Sequence, residues 1–261
     1  MSINLITGNE DAKRAVVNQL RMNKSSGTYL FYGKKGAYLK EFALAFAKGI
    51  NCNESVHDFC DKCRVCENIN KEIYSDLHII SASEGTVKID QIRELIKNAS
   101  ETSYEIGKKV FIIEDVNKLR KEASNALLKI IEEPPKDTYF ILLANSLNIL
   151  PTIKSRSLAI EIQKLTHEEL GVEESLYNFF LGDVKDIREF KSGAYTLSKE
   201  SYKNTAIYMK EYLETGEFLP KIRAYGALED FILEKNYLSE IDKIAFAETL
   251  DKAIGKNRDF L

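Results

Sequence analysis

A chain of 261 residues, 44% hydrophobic and 30% charged, is long enough to bury at least one sizeable core and has the composition of a globular protein. Its formal net charge of −3 argues against strong autonomous binding to nucleic acid, because Lys and Arg contacts to phosphate supply most of that affinity. The sequence contains no run of 18 apolar residues, and Met1 to Asn9 lacks the pattern of a secretory signal. We therefore expect a cytoplasmic protein.

The first 162 residues alternate short apolar runs with segments of helical period, which is the pattern of βαβ units around a parallel sheet. Near-continuous apolar runs are typical of strands that are buried on both faces. The runs predicted as strands are 29–32, 77–80, 110–113, 139–143 and 158–162. An apolar stripe predicts a helix from Ile89 to Ala99, and a second helix is predicted to stop near Glu133, because the two prolines that follow cannot continue its hydrogen bonding.

The first predicted strand is followed by GKKGAYLK and then by a predicted helix, which is the setting of a phosphate-binding loop. In a working loop, G-x-x-x-x-G-K-[ST], the second Gly lets backbone amides surround phosphate, the Lys reaches the β- and γ-phosphates, and the hydroxyl holds Mg²⁺. Gly33 and Gly36 are present here, but Tyr38, Leu39 and Lys40 occupy the last three positions. We therefore predict a lost nucleotide site; the alternative is an ordinary strand-to-helix turn of another α/β protein.

All four cysteines of the chain, Cys52, Cys60, Cys63 and Cys66, fall within fifteen residues. Four thiolates at C-x₇-C-x₂-C-x₂-C spacing can surround one tetrahedral Zn²⁺, and a closed shell of four leaves no open position for water. The pattern predicts a structural zinc site, with two disulfides or four thiols as the alternatives. His57 lies in the same loop, but a lone loop histidine is more often solvent-facing, so it is left out of the ligand set.

The third predicted strand ends in Glu114 and Asp115. Carboxylates at a strand end are the arrangement with which an NTPase holds Mg²⁺ and polarises water. Acidic residues in this position are also common as solvated loop residues, so the pair alone indicates little.

The run NKLRKEASNALLKIIEEPP over residues 117–135 resembles the bacterial clamp-loader family, the gamma and delta-prime subunits of DNA polymerase III. The strand ending at Asn145 resembles the sensor strand of that family, and LPTIKSRS over residues 150–157 resembles its Ser-Arg-Cys segment, with Ser157 in place of the Cys. A four-cysteine module after the first helix of the fold is also similar. The resemblance covers about residues 5–162 and implies an AAA+ fold of the α/β class, built on a parallel sheet.

The resemblance also implies a branch of the family. Gamma-type motors keep an intact loop and end the acidic motif in Asp-Glu, whereas delta-prime subunits commonly degrade both and read Glu-Asp, as this chain does at Glu114 and Asp115. A delta-prime type subunit holds no ATP of its own. Its expected partners are the gamma/tau and delta subunits and, through the complex, the sliding clamp and primer–template DNA. An active motor that uses Lys34, Lys35 or Lys40, and a zinc-bearing DNA-binding module, remain as alternatives.

By the same resemblance, Arg156 projects into the ATP site of a neighbouring motor subunit, where an always-charged guanidinium can stabilise developing phosphoryl charge. The alternative is a surface arginine paired with a carboxylate.

The resemblance further implies three regions, since family members continue from the AAA+ domain into a small helical lid and then a helical collar. We predict an AAA+ domain over residues 1–163, with the zinc module at about 51–68. A reduced lid is predicted over residues 164–205, and a shortened helical collar for oligomerisation over residues 206–261.

Overall fold

A computed structural model describes residues 3–34, 36–82, 86–101, 103, 107–172, 174, 177 and 182–192. Its centre is a five-stranded sheet in which every pairing is parallel. The strands are β1 (Gly27–Tyr32), β2 (Leu77–Ile80), β3 (Lys109–Ile113), β4 (Thr138–Ala144) and β5 (Leu158–Glu161). They lie in the order β2-β3-β4-β1-β5, so the predicted parallel α/β sheet is confirmed.

Helices connect the strands, as parallel strands require. The helices are α1 (Glu10–Met22), α2 (Leu39–Asn51), α3 (Arg64–Asn70), α4 (Ile89–Ser100), α5 (Lys121–Glu132), α6 (Pro151–Ser155), α7 (His167–Leu170) and α8 (Val184–Ser192). Short 3₁₀ turns occur at Ile3–Leu5 and Val116–Lys118.

The sheet has a hydrophobic core on each face, because successive side chains of a strand point to opposite sides. In β1, Tyr29 and Phe31 belong to the core under α1, α2 and the cysteine loop, whereas Leu30 belongs to the core under α4 and α5. In β3, Phe111 and Ile113 face the second core. Since both faces are covered, β3 and β4 are buried along their whole length, which is why their sequences read as apolar runs.

The two helices predicted from apolar stripes are confirmed as α4 and α5. Ile92 and Leu95 of α4 and Leu127 of α5 are buried in the same core. The second helix ends at Glu132, within one residue of its predicted end, and its C-cap Glu133 directly precedes the two prolines.

The chain divides into two compact units, Met1–Lys185 and Asp186–Leu261, and the features below belong to the first. The predicted collar, 206–261, and residues 193–205 of the predicted lid lie outside the described residues. Within the part of the chain that the structure describes, no helix has both the length and the apolar character needed to cross a membrane.

Candidate functional site

The turn after β1 has the shape of a strand-to-helix loop and depends on its glycines. A Cβ on Gly33 would lie 2.1 Å from the carbonyl oxygen of Ile162, and the Gly33 amide donates to the Ala144 carbonyl at 3.1 Å. Gly36 has φ of +90°, a conformation that side-chain-bearing residues rarely adopt. The third residue of the loop, Lys35, lies outside the described residues.

The positions that would handle phosphate are packed into the protein. Tyr38 is 2% exposed and Leu39, the first residue of α2, is 7% exposed. Both belong to the core that also holds Phe42 and Phe46 of the same helix. Burial of such side chains stabilises a fold by about 1.5–3 kcal/mol each, so a rearrangement that moved them toward a ligand would forfeit that energy.

Lys40, which stands in the position of the loop hydroxyl, binds two carboxylates of the protein itself. Its Nζ lies 2.8 Å from Glu72 Oε1 and 3.2 Å from Glu114 Oε1. Burial by itself would lower the pKa of Lys40, but the two carboxylates outweigh burial and raise it. The first residue of the acidic motif is therefore paired with an internal cation, which it shares with Glu72.

The remaining groups of the acidic motif are also engaged by protein atoms. Ser81 Oγ donates to Glu114 Oε2 at 2.6 Å. Asn145 Nδ2 donates to Asp115 Oδ1 at 2.9 Å, and Lys118 Nζ lies 3.0 Å from Asp115 Oδ2. The predicted sensor-position and acidic residues thus meet at one edge of the sheet, because β3 and β4 are parallel neighbours that end side by side.

Arg156 lies at the opposite edge of the sheet. It follows α6 and precedes β5, whose first residue Leu158 pairs with Tyr29 in the amino-terminal half of β1. At about 3.3 Å per residue, the four residues of β5 separate Arg156 from the carboxyl edge by about 13 Å, beyond the reach of its side chain. Arg156 is therefore not brought together with Glu114, Asp115 and the loop of its own chain.

In the isolated chain Arg156 makes an ion pair, its Nε lying 2.8 Å from Glu132 Oε2 at the end of α5. Its guanidinium also donates to the Thr152 carbonyl at 3.2 Å. The ion pair with Arg156 holds the pKa of Glu132 below its usual value, and Glu132 raises the pKa of Arg156. The side chains of Arg156 and Glu132 are 30% and 54% exposed to solvent. Breaking such a partly exposed ion pair costs little free energy.

The four cysteines form one cluster in which all Sγ atoms lie within 4.8 Å of one another. Tetrahedral thiolates at the usual Zn–S distance of about 2.3 Å lie about 3.8 Å apart, so this donor set fits a metal ion. All four cysteines are among the described residues, and no disulfide joins any two of them. His57 is outside the cluster, with its Nδ1 3.2 Å from the Leu20 carbonyl.

The cluster is held by backbone amides and by α3. Cys63 is the N-cap of α3, and its Sγ accepts from the Cys66 amide. Hydrogen bonds from the backbone amides of Lys62 and Cys63 lower the pKa of Cys60 to about 6. Burial raises the pKa of Cys52 and Cys66. A bound metal favours thiolate at every ligand.

Two residues near these sites carry contacts that the sequence pattern did not indicate. Lys48 of α2 is 7% exposed, and its Nζ lies 2.6 Å from Asp61 Oδ1, 2.8 Å from Asn70 Oδ1 and 4.1 Å from the centre of the Phe59 ring. Glu72 is the partner of Lys40 described above. A charged residue in a helix is ordinarily solvent-exposed, so no local signal marks Lys48.

A parallel sheet with helices on both faces, a glycine turn after the first strand and acidic residues at the same edge define an α/β protein of the nucleotide-binding type. A model of the family described as "DNA polymerase III, delta subunit" matches residues 8–166, more than half of the chain. The chain belongs to this family of clamp-loader subunits, whose fold is of the AAA+ class.

Relatives from both branches of the family are similar to the chain. The "DNA polymerase III subunit delta'" of Bacillus subtilis is 35% identical over 153 residues, which cover 58% of this chain and 46% of the relative. The "DNA polymerase III subunit gamma" of Buchnera aphidicola subsp. Schizaphis graminum is 32% identical over 209 residues, which cover 79% and 54%. The chain thus spans about half the length of these curated relatives. Both names occur among the relatives, so these similarities do not separate the two branches.

Among solved structures, a DNA polymerase III gamma subunit-related protein from Thermotoga maritima is similar, with a TM-score of 0.49 and 19% identity. The similarity covers 90% of this chain and 77% of that one.

Proposed function

We propose that this chain is a delta-prime type, non-motor subunit of a DNA polymerase III clamp loader. The observation that carries the proposal is the filling of the loop: Tyr38 and Leu39 are core residues, and Lys40 is paired with Glu114. A gamma-type motor needs a lysine at the position of Leu39 and a carboxylate that is open to Mg²⁺. In this chain the packed side chain of Leu39 stands in place of the lysine, and the carboxylate of Glu114 is already paired with Lys40.

The role of Arg156 in this proposal is to act in trans. Arg156 sits at the amino edge of the sheet, about 13 Å of strand away from the carboxyl edge at which the acidic motif of its own chain lies. An arginine that acts on ATP from there must therefore reach the site of a second subunit. Its partly exposed pair with Glu132 is weak enough to exchange for a phosphate, which the guanidinium binds through several donors.

The metal in this proposal is a structural Zn²⁺, held by Cys52, Cys60, Cys63 and Cys66. Four thiolates select zinc over the hard cations, and the shell is closed, so the ion supplies stability and no catalytic water.

The proposed partners are gamma/tau-type and delta-type subunits. The sliding clamp and primer–template DNA are contacted through the complex, since the net charge of −3 gives the chain little attraction for DNA on its own. The proposed organisation keeps a AAA+ domain over residues 1–163, a helical lid over 164–205 and a collar over 206–261.

The test is clamp loading onto primed DNA by a complex reconstituted from the gamma-type, delta and clamp proteins of the same organism. With this chain added, we expect ATP-dependent loading at a rate that the complex lacking it does not reach. Equal loading with and without the chain would contradict the proposal.

If the chain is a motor, it will instead support loading in place of the gamma-type subunit. Because gamma subunits are among its relatives, the experiment also includes a complex in which this chain replaces the gamma-type subunit.

A further inference from the structure

Both lysines that α2 uses in ion pairs bind the cysteine segment, residues 52–72. At the start of α2, Lys40 Nζ lies 2.8 Å from Glu72 Oε1. Near the end of α2, Lys48 Nζ lies 2.6 Å from Asp61 Oδ1 and 2.8 Å from Asn70 Oδ1. The segment that holds the metal ligands is therefore tied to both ends of the helix that follows the degenerate loop.

Glu72 occupies a position at which glycine is the usual residue. The chain leaves α3 through a left-handed turn with φ of +58° at Glu72, closed by bonds from the Glu72 amide to the Ile69 carbonyl and from the Ile73 amide to the Asn68 carbonyl. This pattern favours glycine, because residues that carry a side chain are strained in the left-handed conformation. A glycine would satisfy the turn, whereas the glutamate adds the contact with Lys40.

Lys40 extends the connection to the acidic motif. The same ammonium that contacts Glu72 lies 3.2 Å from Glu114 Oε1, and Ser81 Oγ donates to the other oxygen of that carboxylate. A continuous series of contacts therefore runs from the end of α3, through Glu72 and Lys40, to Glu114 at the end of β3.

The other end of α3 lies in the metal cluster. Cys63 caps the helix and Cys66 is in its first turn, so two of the four thiolates belong to this end. An isolated helix of seven residues is not stable in water, because nucleation costs more than so few hydrogen bonds return. The stability of α3 therefore depends on its anchors, and a metal at Cys63 and Cys66 is the strongest available.

We infer that metal binding at the four cysteines fixes the position of Lys40 and Glu114, and that Glu72 is the positioning residue that connects them. The metal orders α3, α3 places the Glu72 carboxylate, and Glu72 holds Lys40 beside Glu114. The inference rests on the proposed metal site but not on the non-motor role. The bound metal thereby keeps Lys40 and Glu114 in one arrangement although no nucleotide is bound beside them.

The experiment is amide hydrogen exchange of the metal-loaded protein, compared among wild type, Glu72→Gln, Glu72→Gly and Glu67→Gln. Glu67→Gln removes an exposed carboxylate of α3, the helix that precedes Glu72, and is the matched control. Both Glu72 variants are expected to exchange about fivefold faster over residues 36–45, as loss of a partly exposed ion pair predicts. Glu67→Gln is expected to match wild type, and β4 to exchange equally in all four.

Chelation then tests the metal end of the connection. In wild type, metal removal is expected to accelerate exchange in α3 and over residues 36–45. In Glu72→Gln it is expected to accelerate α3 with no further change over residues 36–45. Metal-loaded Glu72 variants that exchange like wild type would overturn the inference, as would chelation that accelerates β4 as much as α2. A protein that binds no zinc would instead contradict the proposed metal site.

Discussion

The ammonium of Lys40 and the carboxylate of Glu114 lie 3.2 Å apart, although the two residues are 74 positions apart in sequence. In an intact loop of this type, a hydroxyl at the position of Lys40 and an acidic residue at the end of this strand share a Mg²⁺ ion. Here the protein supplies the positive charge itself. The contact also explains why a lysine at this position does not indicate nucleotide binding.

The pair predicts a measurable coupling energy. In a double-mutant cycle of Lys40→Met and Glu114→Gln, we expect a coupling of about 0.5–1 kcal/mol in the free energy of unfolding, since the side chains are 38% and 25% exposed. The same cycle on Arg14 and Asp11, whose side chains are 75% and 94% exposed, is the control and should give a value near zero. Equal couplings would show that the Lys40 contact contributes nothing specific.

Restoring the loop lysine is predicted to damage the fold without restoring the site. Leu39→Lys places a charge at a position that is 7% exposed, so we expect it to destabilise the protein by about 2–4 kcal/mol. Urea unfolding measures this. Lys34→Ala, an exposed change in the same loop, should cost less than about 0.5 kcal/mol. A well-tolerated Leu39→Lys that gained ATP binding would mean that the loop can still accept phosphate.

The central strands of the sheet were predictable from sequence because β3 and β4 are buried on both faces. The runs predicted at 77–80 and 110–113 match β2 and β3 to within one residue, and the burial of Leu39 follows from the stripe it shares with Phe42. The contacts of Lys40 with Glu72 and Glu114 were not predicted. Ion pairs between distant segments leave no periodic signal, and a lysine in the first turn of a helix is ordinarily solvated.

The cysteine cluster predicts one zinc per chain. Elemental analysis of protein purified without chelator should give a zinc-to-protein ratio of one, and Cys66→Ala should abolish it. His57→Ala should keep the full ratio, because His57 is not among the clustered ligands. Removal of the metal should also lower the thermal midpoint, since the energy of metal binding is energy of folding.

A zinc ratio near zero in the wild type would contradict this prediction. A ratio that falls in His57→Ala would mean that the ligand set is wrong.

We expect substitution of Arg156 to reduce ATP hydrolysis by a reconstituted loader more than it reduces the stability of the chain. Arg156→Ala should reduce DNA-stimulated ATP hydrolysis at least about tenfold, since trans-acting arginines contribute on the order of 10³ or more in other phosphoryl-transfer enzymes. Assembly of the complex, followed by size-exclusion chromatography, should be unchanged.

The control is Glu132→Gln, which breaks the ion pair of Arg156 and keeps the guanidinium. If Arg156 acts on a neighbouring ATP, Glu132→Gln should retain hydrolysis. If the two variants lose hydrolysis equally, the arginine matters through its pair with Glu132, and the proposed role is wrong.

Whether the loop of this chain still accepts nucleotide is measured by equilibrium binding of labelled ATP with Mg²⁺ to the purified chain, by fluorescence or calorimetry. Because Tyr38 and Leu39 are packed in the core and Lys40 is already paired with Glu114, we expect no binding at millimolar nucleotide. Binding in the micromolar range, sensitive to removal of Mg²⁺, would contradict it and assign the chain to the motor branch of its family.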